Sequence, residues 1–472
     1  MLATLLCPER GTLTNLICTT GSQQQDWSAH YRLYSHDRVA ESALFDPVRA
    51  AVLQALPAEH PLVVAMDDTL VRKRGTRIAG VSWRRDPLGP AFQTNLVRGQ
   101  RHLQFSAAWP LEQGAARMVP IGWFHAPSAP KPAKEAEAEV QQQQREVLKQ
   151  MSLNTRALEQ MRQLRESCPA ARPIIYCGDG SYTNATVLRG QPAGSTYLGR
   201  MRKDAVLHHP PLAKPAGANG RRPVYGPQAP TPDELRADES IPWSEVTAYA
   251  AGKQHSFRIK TLGPVLWRKA GAQLPVRIVV IAPLGYRLRK GSRMLYRQPA
   301  YLLCTQPELP LEQLLQYYLW RWGIEVNFRD EKTLIGTGEA QVRSAASNQH
   351  LPAMTVAAYA MLWVAALRMH ESSQGQGKGK DKDKDKDKDK DKDPKVVTAL
   401  QPPRWRARRE PAANALPSTG DLLRLLRYET WAGALRPGSL CHFVTSARPD
   451  KTRQKPPLKP PLSLPGMLFA AA

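Results

Sequence analysis

The strongest constraint on this chain is a short apolar run that leads into acids. Leu62-Val63-Val64-Ala65-Met66 is followed directly by Asp67-Asp68-Thr69. Consecutive apolar residues after a proline, bounded by polar ones, read as a buried strand with carboxylates at its C-terminal end. A second stretch repeats the pattern: Pro173-Ile174-Ile175-Tyr176-Cys177 runs into Gly178-Asp179-Gly180. Between them, Arg77–Trp83 and His102–Trp109 are strand-like, separated by the turn-forming Asp86-Pro87-Leu88-Gly89-Pro90. Lys134 to Ser167 lacks Gly and Pro and is rich in Ala, Glu, Gln, Leu and Arg, which reads as one or two helices. The expected order is strand, strand, strand, helix, strand, with an acid ending the first and fourth strands.

Composition narrows the partners. With 472 residues the chain holds two or three domains. It carries 66 Lys plus Arg against 41 Asp plus Glu, a formal charge of +25. That excess favours a polyanion such as nucleic acid or an anionic membrane surface, although charge alone fits an ordinary basic surface as well. Cys7, Cys18, Cys168, Cys177, Cys304 and Cys441 form no CxxC pair, so neither a zinc site nor a disulfide framework is supported. Free thiols in a reducing cytoplasm are expected. The N-terminus lacks a basic region followed by an apolar stretch, so secretion is not indicated. The apolar stretch from Leu351 to Leu367 is short of the roughly 20 residues that cross hydrocarbon. It opens beside Pro352 and contains Thr355 and Tyr359, and it reads as a buried core helix rather than a membrane span.

Residues 1–60 form an N-terminal region in which Thr12 to Ser35 could hold two short helices around Gly21, a pairing compatible with DNA binding. Residues 61–184 and 306–370 read as one core interrupted by a long segment. Residues 185–305 are an insertion, Pro-, Gly- and Arg-rich at first and then β-rich, with strands expected at Phe257–Leu262, Val276–Ala282 and Ala300–Leu303. Residues 371–396 contain an alternating Lys-Asp tract that cannot bury a core and reads as a solvated linker. Residues 397–472 are partly helical, from Asp421 to Trp431, with a mobile Pro-rich end from Arg448 onward.

After Pro310 the pattern turns helical. In Tyr317 to Lys332, at about 100° per residue, Tyr318, Arg321, Glu325 and Lys332 fall within an arc of about 60° on one face of a single predicted helix. Asp330 and Glu331 point elsewhere. Glu325 is therefore an acid framed by two cations and a phenol, which suits phosphate chemistry; surface ion pairs at i,i+4 spacing would give a similar pattern. Trp320 and Trp322 are assigned to packing. Phosphoryl transfer on DNA needs an activated oxygen nucleophile and neutralised phosphate charge, and two divalent ions about 3.5–4 Å apart held by carboxylates supply both.

The spacing Tyr-x2-Arg-x3-Glu-x6-Lys resembles the signature of bacterial insertion-sequence transposases of the DDE group, those with a β-strand insertion before the glutamate. Asp67-Asp68-Thr69 and Asp179-Gly180-Ser181-Tyr182 resemble their two aspartate motifs, and the likeness covers about residues 60 to 370. It implies a ribonuclease H-like mixed α/β sheet flanked by helices, with the β-rich insertion before the last catalytic helix. It also implies that Asp67, Asp179 and Glu325 hold two Mg2+ ions, with Mn2+ as a substitute, and that Tyr318, Arg321 and Lys332 contact DNA phosphates. Asp68 is the alternative first ligand; Asp67 is chosen because the threonine follows two residues later. Trp267 is either a platform for a flipped base or a core residue. Arg72 and Lys73, with Arg74 and Arg77, either hold DNA or form a solvated hairpin face.

The implied partners are the terminal inverted repeats and target DNA, with a second copy of the chain pairing two ends and no membrane. The implied location is the cytoplasm, at the bacterial nucleoid. Two other activities fit the same residues: a nuclease without strand transfer, and an inactive DNA-binding relic.

Overall fold

The Leu62 run begins strand β1 (Leu62–Arg72), and this strand outlasts the apolar residues. In the computed structural model, which describes residues 1–378 and 416–432 apart from 39, 76, 87, 88, 90–94, 130–136, 213–220 and 290, Asp67 and Asp68 lie inside β1 rather than at its end. The reason is that β1 has different neighbours on its two edges. Strand β2 (Ser82–Arg85) pairs with β3 (Leu96–Pro110), and β3 holds β1 antiparallel as far as Arg72 opposite Gly99. On the other edge, β5 (Ile174–Gly178) runs parallel to β1 and is registered only as far as Ala65 opposite Cys177. The acids thus stand just beyond the registered parallel pairing while β3 still keeps them extended.

Strand β4 (Ala116–His125) pairs with β3 and was not expected. Its Arg117, Pro120 and Gly122 weaken the strand pattern, but proline is tolerated where one strand edge has no partner. The register shifts between Phe105 and Ser106, opposite Gly122 and Pro120, as a bulge would require. The expected Arg77–Trp83 strand is displaced to β2, and the His102–Trp109 run lies within β3.

The glycine-free segment forms two helices, after the short N-terminal helices α1 (Leu2–Leu6), α2 (Leu13–Thr19), α3 (Ser28–Ser35) and α4 (Asp46–Ala55). These are α5 (Ala138–Gln150) and α6 (Leu153–Ser167), divided at Ser152, whose hydroxyl caps α6 by accepting from the Thr155 N–H. Helix α6 buries Ala157, Leu158, Met161 and Leu164, spaced for one face. The Tyr176 hydroxyl from β5 donates to the Met161 carbonyl and fastens helix to sheet.

Past β5, α7 (Ala185–Gly190) leads to β6 (Ser195–Arg200), which is parallel to β5. Short strands β7 (Leu207–His208) and β8 (Gln228–Ala229) follow, then α8 (Pro232–Ala237), β9 (Ser244–Ala250), β10 (Lys253–Trp267) and β11 (Pro275–Ile281). A small hairpin, β12 (Gly285–Tyr286) and β13 (Leu295–Tyr296), precedes β14 (Ala300–Cys304). The expected insertion strands correspond to β10, β11 and β14. All but the hairpin belong to one 12-stranded mixed sheet, ordered β2-β3-β1-β5-β6-β14-β11-β10-β7-β8, with β4 on β3 and β9 on β10. The fold is a mixed α/β sheet flanked by helices, consistent with a ribonuclease H-like DDE fold.

The chain divides into two compact units. The larger, 35–329 and 342–353, contains the sheet. The smaller combines residues 1–34 with 330–341 and the described residues from 354 onward. Within it Arg427, on α12 (Thr419–Ala432), donates to the Leu5 and Cys7 carbonyls at 3.2 and 2.7 Å. There α2 and α3 flank Gly21, which has a positive φ of 70°. The expected core helix is the middle of α11 (Ala345–Lys378). By length and composition its Ala345–Ser372 part could cross a membrane, but 83% of its most apolar window is buried in protein. The Lys-Asp tract beyond Lys378, the Pro-rich end from Arg448, and Pro87, Leu88 and Pro90 of the expected turn lie outside the described residues.

Candidate active site

The expected single helix is two helices. Helix α9 (Leu311–Trp320) ends at Arg321, and α10 (Gly323–Thr333) begins two residues later. Across the break the N–H groups of Arg321, Trp322, Ile324 and Glu325 bond three residues back, at 3.0–3.3 Å, so the chain winds more tightly than an α-helix. Packing against β4 sets the place: a Cβ on Gly323 would come within 2.5 Å of Met118 Cγ. Only glycine lets the backbone approach so closely. Fully buried Asn327 then fixes α10, donating to Met118 O at 3.1 Å and Ser106 Oγ at 3.3 Å and accepting from Arg117 at 3.0 Å. A polar residue between Ile324 and Phe328 on the buried side of the helix was the available signal for this anchor.

The break still leaves three of the four signature residues together. The Arg321 guanidinium stacks over the Tyr318 ring at 5.7 Å and reaches Glu325 Oε1 at 3.6 Å. It also reaches Asp67 Oδ2 on β1 at 3.3 Å. One half-buried cation therefore bridges the first and third acids. Burial works against its charge, but Tyr318, Asp67, Glu325 and Asp179 together hold its pKa above the ordinary value.

Asp179 follows β5 at the carboxyl end of the parallel strands. Its Oδ1 accepts from the Ser181 N–H at 2.8 Å and hydroxyl at 2.6 Å, which fixes the turn. Asp67 feels it directly: burial first and the Asp179 charge second push the Asp67 carboxyl up to about 7, against the pull of Arg321. Glu325 is raised by burial and by Asp179, again opposed by Arg321. The structure thus groups Asp67, Asp179 and Glu325 electrostatically around one guanidinium. Asp68 belongs elsewhere: its Oδ1 accepts from the buried Tyr182 hydroxyl at 3.2 Å, and its charge faces Arg101 and Arg84.

The remaining expected residues are more dispersed. Lys332 is half-buried in the last turn of α10. Trp267 is 7% exposed at the end of β10, with Lys269 Nζ 5.4 Å from its ring centroid. It sits in the interior, unlike an open stacking platform. Arg72 is exposed and paired with buried Asp86 at 2.7 Å. Lys73 is half-buried, and burial lowers its pKa. At about 3.3 Å per residue these two lie roughly 17–20 Å along the strand from Asp67. Trp320 packs as expected, its indole N–H donating to the Gly114 carbonyl at 2.9 Å. Trp322 does not: it stands 62% exposed at the break, between Arg321 and Glu325. The periodicity of an unbroken helix concealed it.

A sequence profile of the DDE superfamily endonucleases matches residues 1–273, more than half the chain. The chain belongs to that family. As a DDE endonuclease it has nuclease or transposase-type chemistry, with DNA as substrate. The matched stretch includes Asp67 and Asp179 and ends before Glu325. No curated protein matches it in sequence.

DDE nucleases typically use divalent metal ions, and the residues here can be tested against that need. Hard carboxylate oxygens suit such an ion, and mutual repulsion among the three acids is what a cation would relieve. Their spacing is wider than a closed ligand set: among the described residues no three His, Cys, Asp or Glu side chains are grouped to hold an ion as they stand. The charge between Asp67 and Glu325 is supplied by Arg321 instead. The donor set fits in chemistry, and Arg321 occupies the bridging role.

Proposed function

We propose that this DDE endonuclease is an insertion-sequence transposase that cuts at element ends and joins them to target DNA. One observation carries the reading: acids from β1 and α10 pair with one half-buried arginine, which also feels the acid at the end of β5, with Tyr318 stacked on it. Asp67, Asp179 and Glu325 are the residues that would hold two Mg2+ ions, or Mn2+. Such ions activate an oxygen nucleophile and neutralise charge on the phosphate in flight.

The chain's own part is positional. Arg321 links Asp67 and Glu325 and favours their ionised forms against burial until the site is loaded, and is then free to take a phosphate oxygen with its planar fork. Tyr318 holds the guanidinium in plane. Lys332, seven residues after Glu325 on the same helix, adds a phosphate contact. Trp322 offers an exposed aromatic face for a base beside Glu325, a better platform than buried Trp267. Pairing two ends calls for a homodimer, at work on the chromosome in the bacterial cytoplasm.

The test is Mg2+-dependent cleavage of DNA carrying the inverted repeats that flank the gene. Cleavage followed by joined products is expected, with both lost in Asp179→Asn and Glu325→Gln. Cleavage that never yields joined products would reduce the assignment to a nuclease, and binding without any cleavage would make the protein a relic.

A further inference from the structure

Strands β1, β5 and β6 run parallel and side by side. The first two deliver Asp67 and Asp179; the third delivers Arg200. The β5–β6 register reaches Gly178 opposite Gly199, so Asp179 and Arg200 are the next residues along. A Cβ on Gly180 would lie 3.7 Å from the Arg200 carbonyl oxygen, which confirms the contact of the two strand ends. The Arg200 charge is also felt by Tyr318, where it opposes the effect of burial on the phenol. Arg200 therefore borders the acids, and it lines the rim of a cavity of about 660 Å³ as well.

That cavity is built for negative charge. Four cations line it, Arg200, Arg202, Lys203 and Arg236, against two acids. Each acid is already engaged with an arginine. Asp204 accepts from Arg202 Nε and Nη2 at 2.9 and 2.7 Å. Asp233 accepts from Arg236 Nε at 2.8 Å and from the Tyr301 hydroxyl at 2.6 Å. The forks are thereby oriented, and an excess of two positive charges is left to Arg200 and Lys203, both exposed. The volume lies within the roughly 300–1,000 Å³ of small-ligand sites, so it admits a single strand's backbone rather than a duplex.

We propose that this cavity is a subsite for the single DNA strand next to the scissile phosphate, with Arg200 and Lys203 taking its phosphodiesters. The assignment rests on the proposed DNA-cutting function and names where that strand lies. Positively charged grooves beside aromatic residues are the general means of holding single strands, and Tyr318 of the active site lies within reach of the Arg200 charge.

The test measures binding of a fluorescein-labelled single-stranded oligonucleotide by anisotropy, with the full chain in EDTA, across a range of NaCl concentrations. Each lost phosphate contact flattens the log K against log[salt] slope by about 0.7 for a single strand. Arg200→Ala/Lys203→Ala is expected to flatten it by about 1.4. Lys253→Ala/Arg289→Ala, which removes two exposed cations outside the cavity, is expected to leave it unchanged. An unchanged slope in the cavity variant, or equal flattening in both variants, overturns the assignment. Mg2+-dependent cleavage by Glu325→Gln is measured in parallel. If Glu325→Gln still cleaves, the catalytic reading fails whatever the slopes; if it is dead and the cavity slope is unchanged, the subsite alone is wrong.

Discussion

Asp67 and Asp68 are one peptide bond apart and live in different surroundings. Asp67 meets Arg321 and the charge of Asp179, and through Arg321 it shares a cation with Glu325. Asp68 meets the Tyr182 hydroxyl and the charges of Arg101 and Arg84. Alternation along β1 sends successive side chains to opposite sides of the sheet. Arg101, opposite Leu70 on β3, lies on Asp68's side and not on Asp67's. Burial raises both carboxyls; Arg321 and the Asp68 N–H oppose it at Asp67, while the Arg101 charge and the Tyr182 hydroxyl oppose it at Asp68. An acid that must share its cation can be offered to another one; an acid held by a phenol and facing the charges of two arginines has less need of it.

The sharpest way to break this contrast is cleavage by the paired variants. Asp67→Asn is expected to lower kcat on the order of 10³-fold, since a lost ligand forfeits several kcal/mol of charge stabilisation. Asp68→Asn should stay within about tenfold. Equal losses would erase the distinction. Arg321→Ala comes next, with a loss of about 10²-fold. Because Arg321 pulls the Asp67 carboxyl down, its removal should also move the acid limb of the pH–rate profile to higher pH, and a profile that stays in place would disprove the bridge.

Stability sharpens the same point more gently. The folded Asp67 carboxyl, at about 7, lies above its ordinary 3.8. Its contribution is therefore full below about pH 4 and is lost as the pH rises through 7. Asp67→Asn should unfold at higher urea than wild type at pH 8, by up to roughly 4 kcal/mol, and match it near pH 4. The smallest effect is expected from Tyr182→Phe. It removes one hydrogen bond to Asp68, costs about 1 kcal/mol in urea unfolding, and leaves cleavage within a few-fold.

Much of the fold was legible because the signals were local. The runs Leu62–Met66 and Ile174–Cys177 are buried strands, with every residue buried. The segment before Ser167 is helical, divided where Ser152 caps α6. What was hidden depended on partners. Asp67 lies mid-strand because β3 extends past β5, and pairing length is not written in either strand. Strand β4 was missed because its proline and glycine argue against a strand until β3 supplies the bulge. An unbroken helical count places Trp322 among packed residues, and only Gly323 against Met118 breaks that count.

The sequence by itself determined the types of residue and their order: two acids after apolar runs, a third framed by Tyr318 and Arg321, and a strongly basic surface. Those are properties of near neighbours, which backbone periodicity and side-chain chemistry settle. Tertiary structure alone decided that Arg321 bridges Asp67 and Glu325, residues far apart in the chain. It also decided that Asp68 meets Tyr182 and the charges of Arg101 and Arg84, that Trp267 is enclosed, and that Arg200, beside Asp179 at the strand ends, lines a basic cavity. Each of those depends on register and on close backbone approach, where one strand position or one missing Cβ changes which side chains meet.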